Sequence, residues 1–183
     1  EDGMRAFNES LNKSFSDSCD ELNERFRQEG VKLNYHNGYI QFSADPIIED
    51  CIEKPFWDLV SNSKYQNVEI DMLEALDRYD SSGRDPAFYA AKALESMIKI
   101  ICDDKGFSTG NETGMAQYIK HLNSKKNGTL IINDEKEELL SMGRIRNAHG
   151  HGPGQEAMQE LSDQQALRYI HSAMAWIYSL SKR

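Results

Sequence analysis

DPAFYAAKALESMIKIICDDKG, residues 85–106, is the stretch that decides how this chain folds. Asp85-Pro86 has the form of a helix cap followed by a first helical residue, where proline has no needed N–H to lose and its φ is already helical. Ala90, Leu94, Met97, Ile98 and Ile101 then recur at three- and four-residue intervals, so the segment predicts a long helix with a broad apolar face. Gly106 closes it in the position expected of a helix C-terminus.

Working outward, helical patterns flank this segment on both sides. Residues 68–79 read as a helix, and Asp45-Pro46 caps another that should run through about Val60. Near the start, Phe7, Leu11, Phe15, Cys19, Leu22 and Phe26 form one stripe of an amphipathic helix over residues 4–29, which Gly30 stops. VKLNYHNGYIQF follows, and its alternation around Asn37-Gly38 is the strongest short signal for a two-residue hairpin. Downstream, STGNETG is a polar loop, residues 115–122 read as a short helix, and Asp134 begins another. Ser162 and Gln165 have capping-box spacing and open the last helix, whose Leu167, Ile170, Met174, Ile177 and Tyr178 read as core. Trp57 and Trp176 also receive packing roles. The expected architecture is mainly α: a helix and hairpin leader over residues 1–64 and a helical bundle over residues 65–183.

Chemistry concentrates in Arg146-Asn147-Ala148-His149-Gly150-His151, at the end of the helix that Asp134 begins. Arginine offers a permanently charged planar fork that can hold a phosphate at two points. Histidine titrates near neutrality, so it can take a proton from a ribose 2′-hydroxyl or give one to a leaving 5′-oxygen. Asn147 can donate to a phosphate oxygen or fix an imidazole tautomer. Arg144 and His149 form a second pair at the same spacing, so on the residues alone Arg146, Asn147 and His151 stand as candidates beside Arg144 and His149. His149 and His151 are the metal-ligand alternative, yet no further cysteine or carboxylate stands at a recognisable spacing from them, so neither a metal nor another cofactor is expected. GHGPG lacks the strand and lysine of a phosphate loop and reads as helix termination followed by a turn.

Glu95 and Lys99 add a second feature. They stand four apart on the long helix, glutamate first, which is the favourable order for an ion pair. Taken alone they read as an ordinary surface pair contributing about a few tenths of a kcal/mol.

Together, E-x3-K on one helix and R-N-x3-H at the end of a later one resemble the HEPN ribonuclease superfamily, in particular its abortive-infection and RNase L-like members. AKALESMIKIICDDKG and GRIRNAHGHGPG are similar to that group's two signature segments, and LNERFRQEGVKLNYHNGYIQF is similar to the helix and hairpin that precede the domain in some abortive-infection proteins. The resemblance implies a metal-independent endoribonuclease toxin of prokaryotic antiviral defence, its composite site shared across a homodimer. Arg146, Asn147, His151, Glu95 and Lys99 would carry the chemistry, with RNA, including transfer RNA, as substrate. An antitoxin or an upstream sensor domain is the further partner it suggests. The alternative is a non-catalytic HEPN module that dimerises, or binds RNA or another ligand, within a larger defence protein.

Composition bounds these readings. A net charge of −9 opposes broad nucleic-acid affinity, since phosphate binding ordinarily leaves a basic footprint. Arg144, Arg146, Lys125 and Lys126 are the local cluster expected to offset it. Three cysteines, at 19, 51 and 102, imply neither a disulfide framework nor a zinc site and suit a reducing cytoplasm. No apolar run approaches the length of a membrane span, and no signal-peptide zones open the chain. The start at Glu1-Asp2-Gly3, without methionine, leads us to expect sequence upstream.

Overall fold

A computed structural model describes residues 2–36, 38–42, 46–150 and 161–183, with the side chains of 2–6, 9, 36, 41, 42, 46 and 145–150 outside that description. It is mainly helical with one small antiparallel sheet. The chain divides into two compact units, residues 1–50 and 51–183. The division comes earlier than the 64/65 boundary expected from sequence, because Phe56, Trp57 and Val60 are buried in the core of the second unit.

In the first unit, helix α1 (Asp2–Gln28) is followed by strands β1 (Leu33–His36) and β2 (Tyr39–Phe42). Gly30, at φ 66°, terminates α1: its own amide donates to the Arg27 carbonyl at 3.1 Å, and the Val31 amide to Phe26 at 2.9 Å. These bonds satisfy carbonyls that the helix end leaves open. The strands pair with His36 opposite Tyr39, so two positions make the turn, as the hairpin reading requires. Asn37 itself lies outside the described residues. Asn23 ties helix to hairpin, donating to the Tyr35 carbonyl at 2.9 Å and accepting from the Tyr35 amide at 2.6 Å. Of the predicted stripe, Phe7, Leu11 and Phe15 are exposed.

The single helix expected from Asp45 to Val60 is interrupted. A turn of α2 (Pro46–Ile48) gives way to a π-helical turn, Glu49–Glu53, and then to α3 (Lys54–Val60). Pro55 accounts for the break, since it cannot donate to the carbonyl four residues back and its ring crowds that carbonyl. Asp45 lies outside the described residues.

The second unit is built around α5 (Pro86–Asp104), against which α4 (Gln66–Asp80), α6 (Met115–Asn123), α7 (Asn133–Gly150) and α8 (Asp163–Ser181) all pack. Its central place follows from its sequence: Ala90, Ala93, Leu94, Met97, Ile98, Ile101 and Cys102 are buried, an apolar face too wide for one neighbour to cover. Pro86 opens α5 as expected, but Asp85 sits in the left-handed region at φ 59° and makes no side-chain capping bond. At the other end the Gly106 and Phe107 amides donate to the carbonyls of Asp103 and Cys102. The α8 capping box is complete, with the Gln165 amide donating to Ser162 Oγ at 3.3 Å and the Ser162 amide to Gln165 Oε1 at 3.0 Å. Trp57 is buried and Trp176 packs against the core. Among the described residues, no helix is long and apolar enough to cross a membrane.

Candidate active site

Bonds at one end of the bundle set the relative direction of α5 and α7. Arg183 grips Glu135, near the start of α7, through two bonds of 2.6 and 2.9 Å, and also donates to the Leu130 carbonyl at 3.1 Å. Lys105, just past α5, donates to the Arg183 carbonyl at 3.1 Å. These bonds fix the end of α5, the end of α8 and the beginning of α7 at one end of the bundle. From there α7 runs back along α5. With a rise of ~1.5 Å per residue, Glu95 lies ~15 Å from the pinned end along α5 and position 146 ~16 Å from it along α7. The two are level on adjoining helices.

On α7, Leu139 and Met142 are buried in the core, and Arg144 is exposed. The backbone of Arg146, Asn147 and His149 is helical, their side chains being outside the description. His151 lies outside the described residues altogether.

The Glu95 and Lys99 pair departs from the surface reading. Lys99 Nζ stands 2.8 Å from Glu95 Oε1, but the glutamate side chain is only 4% exposed and the lysine 43%. Burying a carboxylate costs several kcal/mol of solvation, which its partners must repay. Tyr118 of α6 completes the surroundings, its ring centroid 5.9 Å from the lysine nitrogen. Sequence reasoning missed Tyr118, which carries no signal of its own until α6 is laid beside α5.

Gly143 is a second residue the sequence reading passed over. A Cβ there would lie 3.2 Å from Met115 Sδ, so the missing side chain lets α6 and α7 approach one turn before position 146. Met115 faces Gly143 while the Ile131 amide donates to the Leu122 carbonyl, so α6 runs antiparallel to α7. That arrangement separates the expected basic cluster. Lys125 and Lys126, in the turn after α6, sit beside the start of α7, far from position 146 at its other end.

Two other groups shape the unit. Glu112 braces the loop before α6, accepting from the amide and hydroxyl of Thr109, the Gly110 amide and His121 Nε2, at 2.7 to 3.0 Å. The Thr109 amide above all, then its hydroxyl, holds the carboxyl down at about 2. The Cys102 thiol is pushed up to about 12 by burial, with Asp103 and Glu112 adding to the effect. A cleft of about 250 Å³ opens where α5 and α8 begin, with Arg78, Arg84, Pro86, Phe88, Leu161 and Asp163 in its walls. Among the described residues, no group of His, Cys, Asp and Glu could hold a metal ion.

A scan against protein-family models matches residues 66–181 to Abi_C, described as a HEPN-like domain. The chain belongs to this HEPN-like, abortive-infection-related family. The match takes in α4 to α8, and with them the Glu95 and Lys99 helix and the whole of α7. No curated protein and no solved structure matches the chain. The HEPN-like domain is thus the bundle around α5, and its matched span ends inside the last turn of α8.

Proposed function

We propose that this HEPN-like domain is a metal-independent endoribonuclease of prokaryotic antiviral defence, cutting RNA at a site composed by two copies of the chain. The observation that supports this reading is the buried Glu95, holding Lys99 Nζ at 2.8 Å, within the matched HEPN-like domain that also contains α7. A carboxylate placed there can hold a cation in position, and a half-exposed ammonium beside it can meet a phosphate.

In this mechanism His151 takes the proton of the ribose 2′-hydroxyl adjacent to the scissile phosphate. The freed oxygen attacks phosphorus, and Arg146 with Lys99 balances the charge that develops on the phosphoryl oxygens. The leaving 5′-oxygen receives a proton from the partner copy's equivalent of the same histidine or from water. Asn147 orients the phosphate or the imidazole, Glu95 positions the cations, and Arg144 and His149 are auxiliaries. Because the nucleophile belongs to the substrate, no metal-bound hydroxide is needed. Twofold symmetry makes such a shared site self-consistent. The setting is the cytoplasm, with transfer RNA among the substrates and an antitoxin or upstream sensor domain as regulator.

The test is incubation of the wild-type chain and His151→Ala with total and transfer RNA, followed by end-group analysis. New 2′,3′-cyclic phosphate ends made by wild type alone support the reading. The net charge of −9 favours one rival, a HEPN-like module that binds without cutting. RNA retained intact on the wild-type protein would establish that rival.

A further inference from the structure

Arg78, Tyr89, Lys92 and Lys99 make a ridge of cations and rings along α4 and α5. Lys92 and Lys99 are seven residues apart, so they line up on the solvent side of α5 with ~10.5 Å between their Cα atoms. Each is seated on a buried acid. Lys92 Nζ lies 2.8 Å from Asp71 Oδ1, with side chains 47% and 10% exposed, which repeats the geometry of Lys99 on Glu95. Arg78 is fixed by its bonds to Glu74 Oε1 at 2.7 Å and to the Arg84 carbonyl at 3.1 Å. Its guanidinium stands 4.3 Å from the Tyr89 ring centroid, and Lys92 Nζ lies 5.9 Å from the same ring.

The asymmetry of the lysine pairs carries the argument. An ordinary surface pair leaves both partners in water and fixes neither. Here the acids are inside and the ammoniums half outside, so each cation is held at a set place while part of it still meets solvent. Two such cations in line supply charge along a backbone path, as single-stranded nucleic acid requires, and the partly buried Tyr89 ring holds Arg78 in place beside them. Past Tyr89, Arg78 continues into the wall of the cleft at the beginning of α5.

We infer that this ridge is the track along which the single strand leaves the reaction centre, with phosphates on Lys99 and Lys92 and the path continuing over Arg78. The inference rests on the ribonuclease reading. Asp71, Glu95 and Glu74 lie next to the cations and cap the affinity, so the track holds RNA weakly, in a salt-dependent way and with little sequence preference.

The experiment uses a fluorescent ten-nucleotide 2′-O-methyl RNA, which cannot be cut by 2′-hydroxyl attack, and reads binding by anisotropy across a salt series. The test variant is Asp71→Asn combined with Lys92→Gln, which removes the lysine without leaving a bare buried acid. Binding should weaken about five- to tenfold, and the slope of log affinity on log salt should fall by ~0.7, the value of one single-strand phosphate contact. Asp71→Asn alone should retain binding, and Lys92→Arg should bind as wild type does. On cleavable RNA the double variant should raise KM by a similar factor with kcat held within about twofold. Unchanged affinity and slope in the double variant, with wild type still cutting RNA, would overturn the track and leave the ribonuclease standing. Lysine-dependent binding by a wild type that makes no cuts would overturn the ribonuclease and keep the track. A wild type that does not bind the oligonucleotide refutes the track outright.

Discussion

Lys99 covers Glu95 without sharing its burial: the nitrogen and carboxylate oxygen are 2.8 Å apart, yet one side chain is 43% exposed and the other 4%. The pair is therefore not interchangeable end for end. Exchanging the two charges would sink a lysine where the acid now lies, and the loss that followed would say nothing about chemistry. Lys99→Gln and Lys99→Arg form the informative set. Glutamine should lower RNA cleavage at least tenfold, and arginine should recover a good part of it. Thermal melts should show a cost above the ~1 kcal/mol of a surface pair for the glutamine variant, because the buried Glu95 carboxylate loses its lysine, and arginine should restore most of that stability. Equal activity in all three proteins would return the pair to a structural role.

The two arginines of the motif are assigned different weights, and Arg144 is exposed. Arg146→Ala and His151→Ala should each abolish cleavage and growth toxicity with the helical circular dichroism signal intact. Arg144→Ala should keep at least about a third of wild-type cleavage. A reversed ranking of the arginines would refute the choice of Arg146 over Arg144.

Cleavage should persist in excess chelator and leave 2′,3′-cyclic phosphate ends. The nucleophile in this mechanism is the substrate's own hydroxyl, so DNA, or RNA carrying a 2′-O-methyl at the scissile position, should bind and remain whole. Activity that chelator abolishes and manganese restores would point instead to water activated by a metal, with His149 and His151 as the first ligands to test.

Glu112 predicts an acid-sensitive loop. Its carboxyl is held at about 2 in the folded chain against an ordinary 4.5, so the unfolded chain binds the proton first. The stabilisation it brings is fully present above pH 4.5 and is lost as pH falls toward 2. Glu112→Gln should lower the melting temperature at pH 6 and converge with wild type near pH 2. Parallel melting curves across that range would contradict the assignment.

Cys102 should resist alkylation in the folded chain, since burial pushes its thiol up to about 12 and leaves almost no thiolate at neutral pH. Exposed Cys51 is the internal control. Mass spectrometry after a short iodoacetamide pulse at pH 7.5 should find Cys51 modified and Cys102 protected until denaturant is added.

Much of this architecture was legible in the sequence, because its elements rest on local rules. Pro86 and Gly106 delimit the central helix, Ser162 with Gln165 caps the last one, and Asn37-Gly38 marks the hairpin. The π-helical turn before Pro55 was missed, since periodicity alone does not register a single proline's missing donor. The burial of Phe56 and Trp57 within the second unit is a tertiary fact that no local rule states. At the site, residue types and spacing singled out Glu95, Lys99 and Arg146, but not the depth of the glutamate or the nearness of Tyr118. Lys125 and Lys126 were grouped with Arg146 by charge, and the antiparallel course of α6 sets them at the opposite end of α7.

Gly143 has a consequence for how closely two helices of the bundle settle. Met115 Sδ, the end of a limber side chain, marks how close α7 comes to α6. It works as a soft stop. A single added methyl at position 143 would press on that stop, and α7 would yield outward by a few tenths of an ångström unless the thioether swung aside. The seat of the motif-bearing helix is thus tuned by one pliant sulfur on its neighbour, and drift at that methionine would shift the helix without touching any residue of the motif.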